Sequence, residues 1–303
     1  LEFRRVLFRS IMTEGGFKLF GSYAGLFEIA NEYNSEVILD AQYRPTSREH
    51  QMMYVFLPPT LGGYSQLSPL QELVDSYIML DGKTIKETGT SFDESHPYAN
   101  RDPRLKATVM YTGNSYTLAD GTEVVINCEK GEGKDGYGVG SDCSATGYYI
   151  KKYWDNTYRA TLYSGLNPIL IRYADILLMN AEALAELGEL DKTAWDATIK
   201  PIRDRAGFTL ASALEFPEGA SKDKLIEIVR NERRSELALE GHRHKDIIRW
   251  RIADNVLNGW CHGLKTNDVV GTDDGYVLLI VLCSSLHLPA RQYQLGFQYS
   301  AHY

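Results

Sequence analysis

Three segments in the second half of the chain space their apolar residues as helices do. IRYADILLMNAEALAELG, within a predicted helix from Pro168 to Gly188, is apolar nearly all round except for a polar stripe of Arg172, Asp175, Glu182 and Glu186. KTAWDATIKPIRDRAG predicts a second helix from Lys192 to Gly207, with Pro201 as a kink or break. KDKLIEIVRNERRSELALEG predicts a third, from Lys222 to Gly241. Each ends on glycine, which closes a helix in the left-handed conformation at little cost. Helices of this length joined by short turns pack as antiparallel hairpins, much like tetratricopeptide units, although no strict repeat is visible.

The first half has a different rhythm. EVILDAQY alternates as a strand, LPPTLGGYSQLSP is a Pro/Gly loop and PLQELVDSYIM is a short amphipathic helix. RLKATVMYTG, TEVVINCEK and TGYYIKKYW are strand-like. The pattern predicts a mixed, loop-rich part with short strands over 17–160, then a helical part over 161–260.

The third helix carries an anomaly. Counted at 100° per residue from Leu225, the face holding Ile228, Val229 and Leu239 also holds Glu232, Glu236 and Glu240. An ionised carboxylate in a core costs several kcal/mol or more unless it is paired. Candidate partners crowd the segment: Arg230, Arg233, Arg234, Arg243, Arg249 and Arg251. Glu232 and Glu236, one turn apart and roughly 5–6 Å between Cβ atoms, also match the spacing of the acid and nucleophile of a retaining glycosidase. Such an enzyme must grip the scissile bond between its carboxylates, whereas side chains on one helix face project from the same side. That geometry favours a structural Arg–Glu network over a catalytic pair.

Composition narrows the classes. With 303 residues and 44% hydrophobic positions the chain can bury a sizeable core. A net charge of −8, without an extended basic patch, argues against nucleic acid as a partner. The 20 tyrosines supply rings that can pack on a sugar's apolar face while the hydroxyl stays wet. Cys128, Cys143, Cys261 and Cys283 lack CxxC spacing, so no zinc site is implied, although Cys128 and Cys143 could pair across a hairpin. GEGKDG at 131–136 spells GxGxxG, but YGVGSDCSATG after it cannot open the helix that a dinucleotide site needs. His242 and His244 form an HxH after a helix-ending glycine, a position that favours exposed or ion-paired imidazoles over a metal. Neither a cofactor nor a metal is expected.

The two ends stand apart. LEFRRVLFRS has no continuous apolar stretch of the kind a secretion signal needs, and no helix or strand pattern that continues into FKLFGSYAGLFEI. Residues 1–16 therefore read as a leader of non-native origin, similar to translated adapter sequence. YVLLIVLCSSLHL, from Tyr276, is too short for a membrane helix of about 20 residues and reads as a buried strand or a frame-shifted tail. Residues 276–303 are set apart as an aberrant tail.

The runs IRYADILLMNAEALAELG, PIRDRAG and ERRSELALEGHRHKDIIRW closely resemble the C-terminal signature of the SusD/RagB family of outer-membrane nutrient-binding lipoproteins from Bacteroidetes. SPLQELVDSYIMLDGK, PYANRDPRL and TGYYIKKY match that family's order of landmarks, so the resemblance covers about Asn34 to Trp260. It implies a mainly α, SusD-like domain with tetratricopeptide-like helix pairs over 17–275, truncated relative to the family. It also implies non-catalytic capture of oligosaccharides at the cell surface, an N-terminal lipid anchor absent from this sequence, and a TonB-dependent, SusC-like transporter barrel as partner. The glutamates then belong to a fold-defining network of Arg172, Glu182, Arg203 and Arg205, with Glu232, Arg233, Glu236 and Glu240, and with Arg243, Asp246 and Arg249. The family often places a glycan-facing aromatic in the loop LGGYSQLSP, which nominates Tyr64, with Gln66 as its hydrogen-bonding neighbour. The same tyrosine could instead pack on its own proline and leucine. A helical protein-interaction scaffold without a sugar site is a further alternative. If upstream helices are missing, the helix from Pro168 should leave apolar surface uncovered, and the chain should self-associate.

Overall fold

The computed structural model describes residues 2–157, 161–266 and 276–279. The described residues order themselves as α1 (Glu2–Glu14), β1 (Val37–Asp40), α2 (Met52–Phe56), α3 (Gln71–Ser76), α4 (Pro103–Thr108), β2 (Val109–Met110), β3 (Ser115–Thr117), β4 (Glu123–Val125) and β5 (Tyr149–Ile150). The second half adds β6 (Ile169–Arg172), α5 (Tyr173–Leu187), α6 (Lys192–Ala206), α7 (Ala211–Leu214), α8 (Lys222–Glu236), α9 (Arg243–Arg249), α10 (Ala253–Val256), β7 (Cys261–Lys265) and β8 (Tyr276–Leu279). Long helices fill the C-terminal part, and among the described residues the strands pair in antiparallel twos: β1 with β6, β2 with β5, β3 with β4, β7 with β8.

The helical core lies where α5 meets α6 and α8. Ala174, Leu177, Leu178 and Ala181 of α5 pack with Trp195, Ile199 and Ile202 of α6 and with Leu225 and Val229 of α8. Asp191 caps α6 by accepting from the Ala194 N–H, and Ser221 caps α8 from Lys224. Gly188 and Gly207 close α5 and α6 at φ 75° and 104°. There the amides of Glu189 and Phe208 reach back to the carbonyls of Leu184 and Arg203. α6 runs without a break across Pro201, and Ile199 and Ile202 on either side are both buried.

Four expectations are corrected. The stretch before Tyr173 is not helical: Ile169–Arg172 pairs with Val37–Asp40, and α5 starts after it. RLKAT is helix rather than strand, since Asp102 caps the Arg104 N–H and Pro103 occupies the first turn of α4. α8 stops at Glu236 instead of Gly241, because cationic and hydroxyl side chains take the terminal carbonyls. Arg172 and Tyr23 donate to Glu236 O and Lys152 donates to Ala238 O. Leu239, counted on the buried stripe, then lies beyond the helix, exposed and at φ 63°. The opening segment forms α1, which ends at Glu14 and does not continue into FKLFGSYAGLFEI, and Phe8, Ile11 and Met12 turn inward at helical spacing. Met12 joins the α5 core and Phe8 faces Met179 and Ala183, so the α5 face expected to stay bare is covered by α1.

Cys128, Cys143 and Cys261 are free thiols, so the pairing considered for Cys128 and Cys143 does not form; Cys143 Sγ donates to Lys134 O. Residues 131–136 lie in a loop of turns, with Gly131 and Gly133 at positive φ. β8 is a strand as expected at Tyr276, while residues 280–303, including Cys283, lie outside the described residues.

Candidate functional site

The three glutamates of the α8 segment end in a balanced ionic cluster. Glu236 is fully buried and receives Arg104 Nη1 at 2.8 Å, Arg172 Nη1 at 2.6 Å and Arg205 Nη2. Glu232 takes Arg104 Nη2 and Arg203 Nε, each at 2.7 Å. Glu240 takes Arg172 Nε at 2.8 Å and Lys152 Nζ at 2.6 Å. Glu36 bridges Arg172 at 2.7 Å and Arg205 at 2.9 Å, and Asp102 holds Arg104 at 2.7 Å. Carboxylates of Glu36, Asp102, Glu232, Glu236 and Glu240 thus face cations of Arg104, Lys152, Arg172, Arg203 and Arg205, and the charges cancel.

Burial alone would push the carboxyl of Glu236 upward, but the guanidinium groups of Arg205, Arg172 and Arg104 hold it well below the usual range. Glu232, opposed by the same burial, is held down by Arg104 and Arg203, and Glu240 by Arg172 and Lys152. A glycosidase acid needs a raised pKa and access to the leaving oxygen. Glu232 and Glu236 have neither. Burial also drives the Lys152 ammonium down to about 8, against the pull of Glu240.

A second cluster ties α5 to α9. Arg233 binds Asp175 and, at 2.9 Å, Asp246. Arg249 binds Glu182 and, at 2.8 Å, Asp246, while Trp250 Nε1 donates to Glu182 at 2.7 Å. Arg243, expected in the network, lies with its guanidinium 5.9 Å from the Trp250 ring centroid and feels the charge of Asp246. Sequence reasoning missed the parts that Glu36, Asp102, Arg104, Lys152 and Asp175 play in these clusters. Arg104 and Lys152 sit inside the motifs RDPRL and IKKY, but nothing in their local spacing points to α8.

The loop nominated for sugar contact is built against α2. Tyr64 is 39% exposed, and its ring stacks on Tyr54 with centroids 4.2 Å apart and planes 27° apart. Its N–H donates to Tyr54 O at 2.9 Å, and the Leu67 N–H donates to Val55 O at 2.9 Å, so the loop is laced to the helix. Gly63 N–H donates to Pro58 O, and Asp135 holds the Thr60 N–H at 2.7 Å from the loop between β4 and β5. Gln66 is exposed beside Tyr64. The hydrogen bond with Tyr64 raises the Tyr54 hydroxyl's pKa. Tyr64 thus packs on a second tyrosine, and its ring, backed by half-buried Tyr54, forms an aromatic platform at the surface. Sequence reasoning missed Tyr54, because the two tyrosines share no periodic element.

Two other groupings hold less. Ser95, His96 and Asp93 meet on an exposed turn, but the Ser95 hydroxyl and Asp93 Oδ2 approach the same His96 nitrogen, Nδ1, at 3.0 and 2.9 Å. A proton relay needs both ring nitrogens. His242 is half-buried and His244 exposed at the start of α9, and among the described residues no three His, Cys, Asp or Glu side chains gather to hold a metal ion.

Residues 26–275 match the SusD family. Among curated proteins, the chain is 36% identical over 107 residues to SusD-like protein P38 of Formosa agariphila, covering 34% of this chain and 21% of that protein. It is 27% identical over 271 residues to SusD-like protein P25 of the same organism, covering 82% and 46%. The chain thus spans less than half the length of these relatives. Among solved structures, a SusD-like carbohydrate binding protein of Bacteroides fragilis superposes with a TM-score of 0.76 at 28% identity, over 90% of this chain and 55% of that one. A second SusD-like protein of Bacteroides fragilis gives 0.66 at 26% identity, over 86% and 54%.

Proposed function

The chain belongs to the SusD family, and from that premise we propose that it captures oligosaccharides at the cell surface without catalysis. In this reading it hands them to a TonB-dependent, SusC-like transporter barrel, and an N-terminal lipid holds the protein at the outer membrane. The observation that carries the reading is Tyr64, exposed on a loop pinned at several backbone positions and stacked on half-buried Tyr54 of α2. A fixed aromatic surface binds the apolar face of a pyranose ring without losing much side-chain freedom, and exposed Gln66 can hydrogen-bond a sugar hydroxyl. The glycosidase alternative loses its support, because Glu232 and Glu236 are sealed in ion pairs.

Affinity electrophoresis of the purified chain through gels carrying different polysaccharides tests the proposal. The chain should be retarded by at least one of them, and Tyr64→Ala should weaken that binding by roughly tenfold, the equivalent of about 1.4 kcal/mol. Unchanged retardation of Tyr64→Ala would remove the site. Binding to the barrel partner without affinity for any glycan would favour the scaffold alternative.

A further inference from the structure

A cleft of about 780 Å³ opens at the other end of the loop that secures Thr60. That loop holds the Tyr64 segment through Asp135 and sends Cys128 and Glu129 into the cleft wall. The cleft carries a second tyrosine stack, Tyr98 on Tyr111, with centroids 4.0 Å apart and planes 18° apart. Around the stack runs a polar chain. Tyr98 OH donates to Tyr148 OH at 3.3 Å, Tyr148 OH to Gln71 Oε1 at 2.5 Å, and Gln71 Nε2 to Asp75 Oδ1 at 2.7 Å. The rings are therefore held by both stacking and hydrogen bonds, and the chain ends on a carboxylate that lines the cleft.

The charges in the cleft discriminate between ligand classes. Arg101, which lines it, is buried and spends its guanidinium on main-chain carbonyls, from Nε to Tyr77 O, from Nη1 to Pro97 O and from Nη2 to Val74 O. No planar fork is left to grip a carboxylate or sulfate. Lys265 pairs with Glu94 at 3.0 Å. Asp75, whose charge faces that of Arg101, and exposed Glu129 offer carboxylate acceptors suited to the paired hydroxyls of a sugar ring, and Glu129 repels anions. The net charge of −8 adds to that repulsion at long range.

We propose that this cleft is a second glycan-binding site, selective for uncharged oligosaccharide and joined to the Tyr54/Tyr64 platform by the loop between β4 and β5. The proposal rests on the glycan-capture reading and adds a location and a ligand class to it. Affinity electrophoresis would compare neutral polymers (starch, mixed-linkage β-glucan, xylan, galactomannan) with anionic ones (alginate, pectate, chondroitin sulfate), using the wild-type chain, Tyr111→Ala, Glu129→Ala and Tyr64→Ala. Retardation should be confined to neutral polymers. On the polymer that binds, Tyr111→Ala and Glu129→Ala should each weaken binding at least fivefold. Because Tyr111 also packs against the core, thermal unfolding is measured alongside, and exposed Glu129 supplies the variant that leaves the fold untouched. If Tyr64→Ala weakens binding while Glu129→Ala and a folded Tyr111→Ala do not, the second site is overturned and the platform stands. Retardation by anionic polymers alone overturns the ligand class, and no retardation on any gel overturns both sites.

Discussion

At the scale of single residues, Glu236 is the most demanding position. Its carboxylate meets Arg104, Arg172 and Arg205 from three separate elements, and its main-chain oxygen accepts from Arg172 and Tyr23. Removing one member of such a buried group strands the others, at a cost of about 3–5 kcal/mol. Glu236→Ala should lose stability on that order in urea unfolding at pH 7. The same carboxylates set the acid limb. The folded-state pKa values of Glu232, Glu236 and Glu240 lie below the ordinary 4.5, so the unfolded chain takes up protons first as pH falls. Their contribution is complete above about 4.5 and drains away as pH drops through the lowered values. Asp102 opposes them, because burial raises its pKa above 3.8 despite Arg104. The wild-type unfolding midpoint should therefore fall steeply below pH 4.5, and the Glu236→Ala midpoint less steeply; parallel slopes would show that the cluster does not govern acid stability.

At the scale of elements, the loop from Leu57 to Ser68 depends on close backbone approach. A Cβ on Gly63 would lie 2.1 Å from Leu57 O and 2.5 Å from Leu57 C, both main-chain atoms that cannot swing aside. Gly62 before it closes a single 3₁₀ turn at φ 83°. Gly63→Ala should thus push the loop off α2 and separate Tyr64 from Tyr54. Its glycan affinity should drop to the level of Tyr64→Ala, with a stability loss of about 1–3 kcal/mol. Wild-type affinity in a folded Gly63→Ala chain would mean that the stacked geometry is not what binds sugar.

For the whole molecule, the decisive contact is α1 against α5. α5 is buried or half-buried along nearly its full length, by α6 and α8 on one side and α1 on another. Without residues 2–14, Met179 and Ala183 would lose Phe8, and the core would lose Met12. The shortened chain should then associate through that face, seen as a higher mass in light scattering than for the chain with α1. A monomer of unchanged stability would show that α1 is a passenger.

Much of the helical half was legible because its signals act within a turn or two. Periodic apolar positions, with Gly188 and Gly207 as stops, marked the ends of α5 and α6 without help from elsewhere. The Asp102–Pro103 start of α4 was equally local, yet a strand-like run of residues behind it hid the signal. The motifs that carry the family resemblance were likewise local strings. That Glu232, Glu236 and Glu240 needed cations was also plain from sequence alone, since desolvating a charge is costly wherever the partner comes from. Which cations answer was decided by tertiary structure: Arg104 reaches Glu236 across 132 positions and Lys152 reaches Glu240 across 88. Ile169–Arg172 became a strand because Val37–Asp40 lies beside it, and its β-branched Ile169 and Ile171 suit that pairing. The stacking of Tyr64 on Tyr54, and the covering of α5 by α1, are likewise contacts through space. Local preferences are fixed by covalent neighbours, whereas ion pairs, strand partners and ring stacks depend on distances that exist only once the chain has folded.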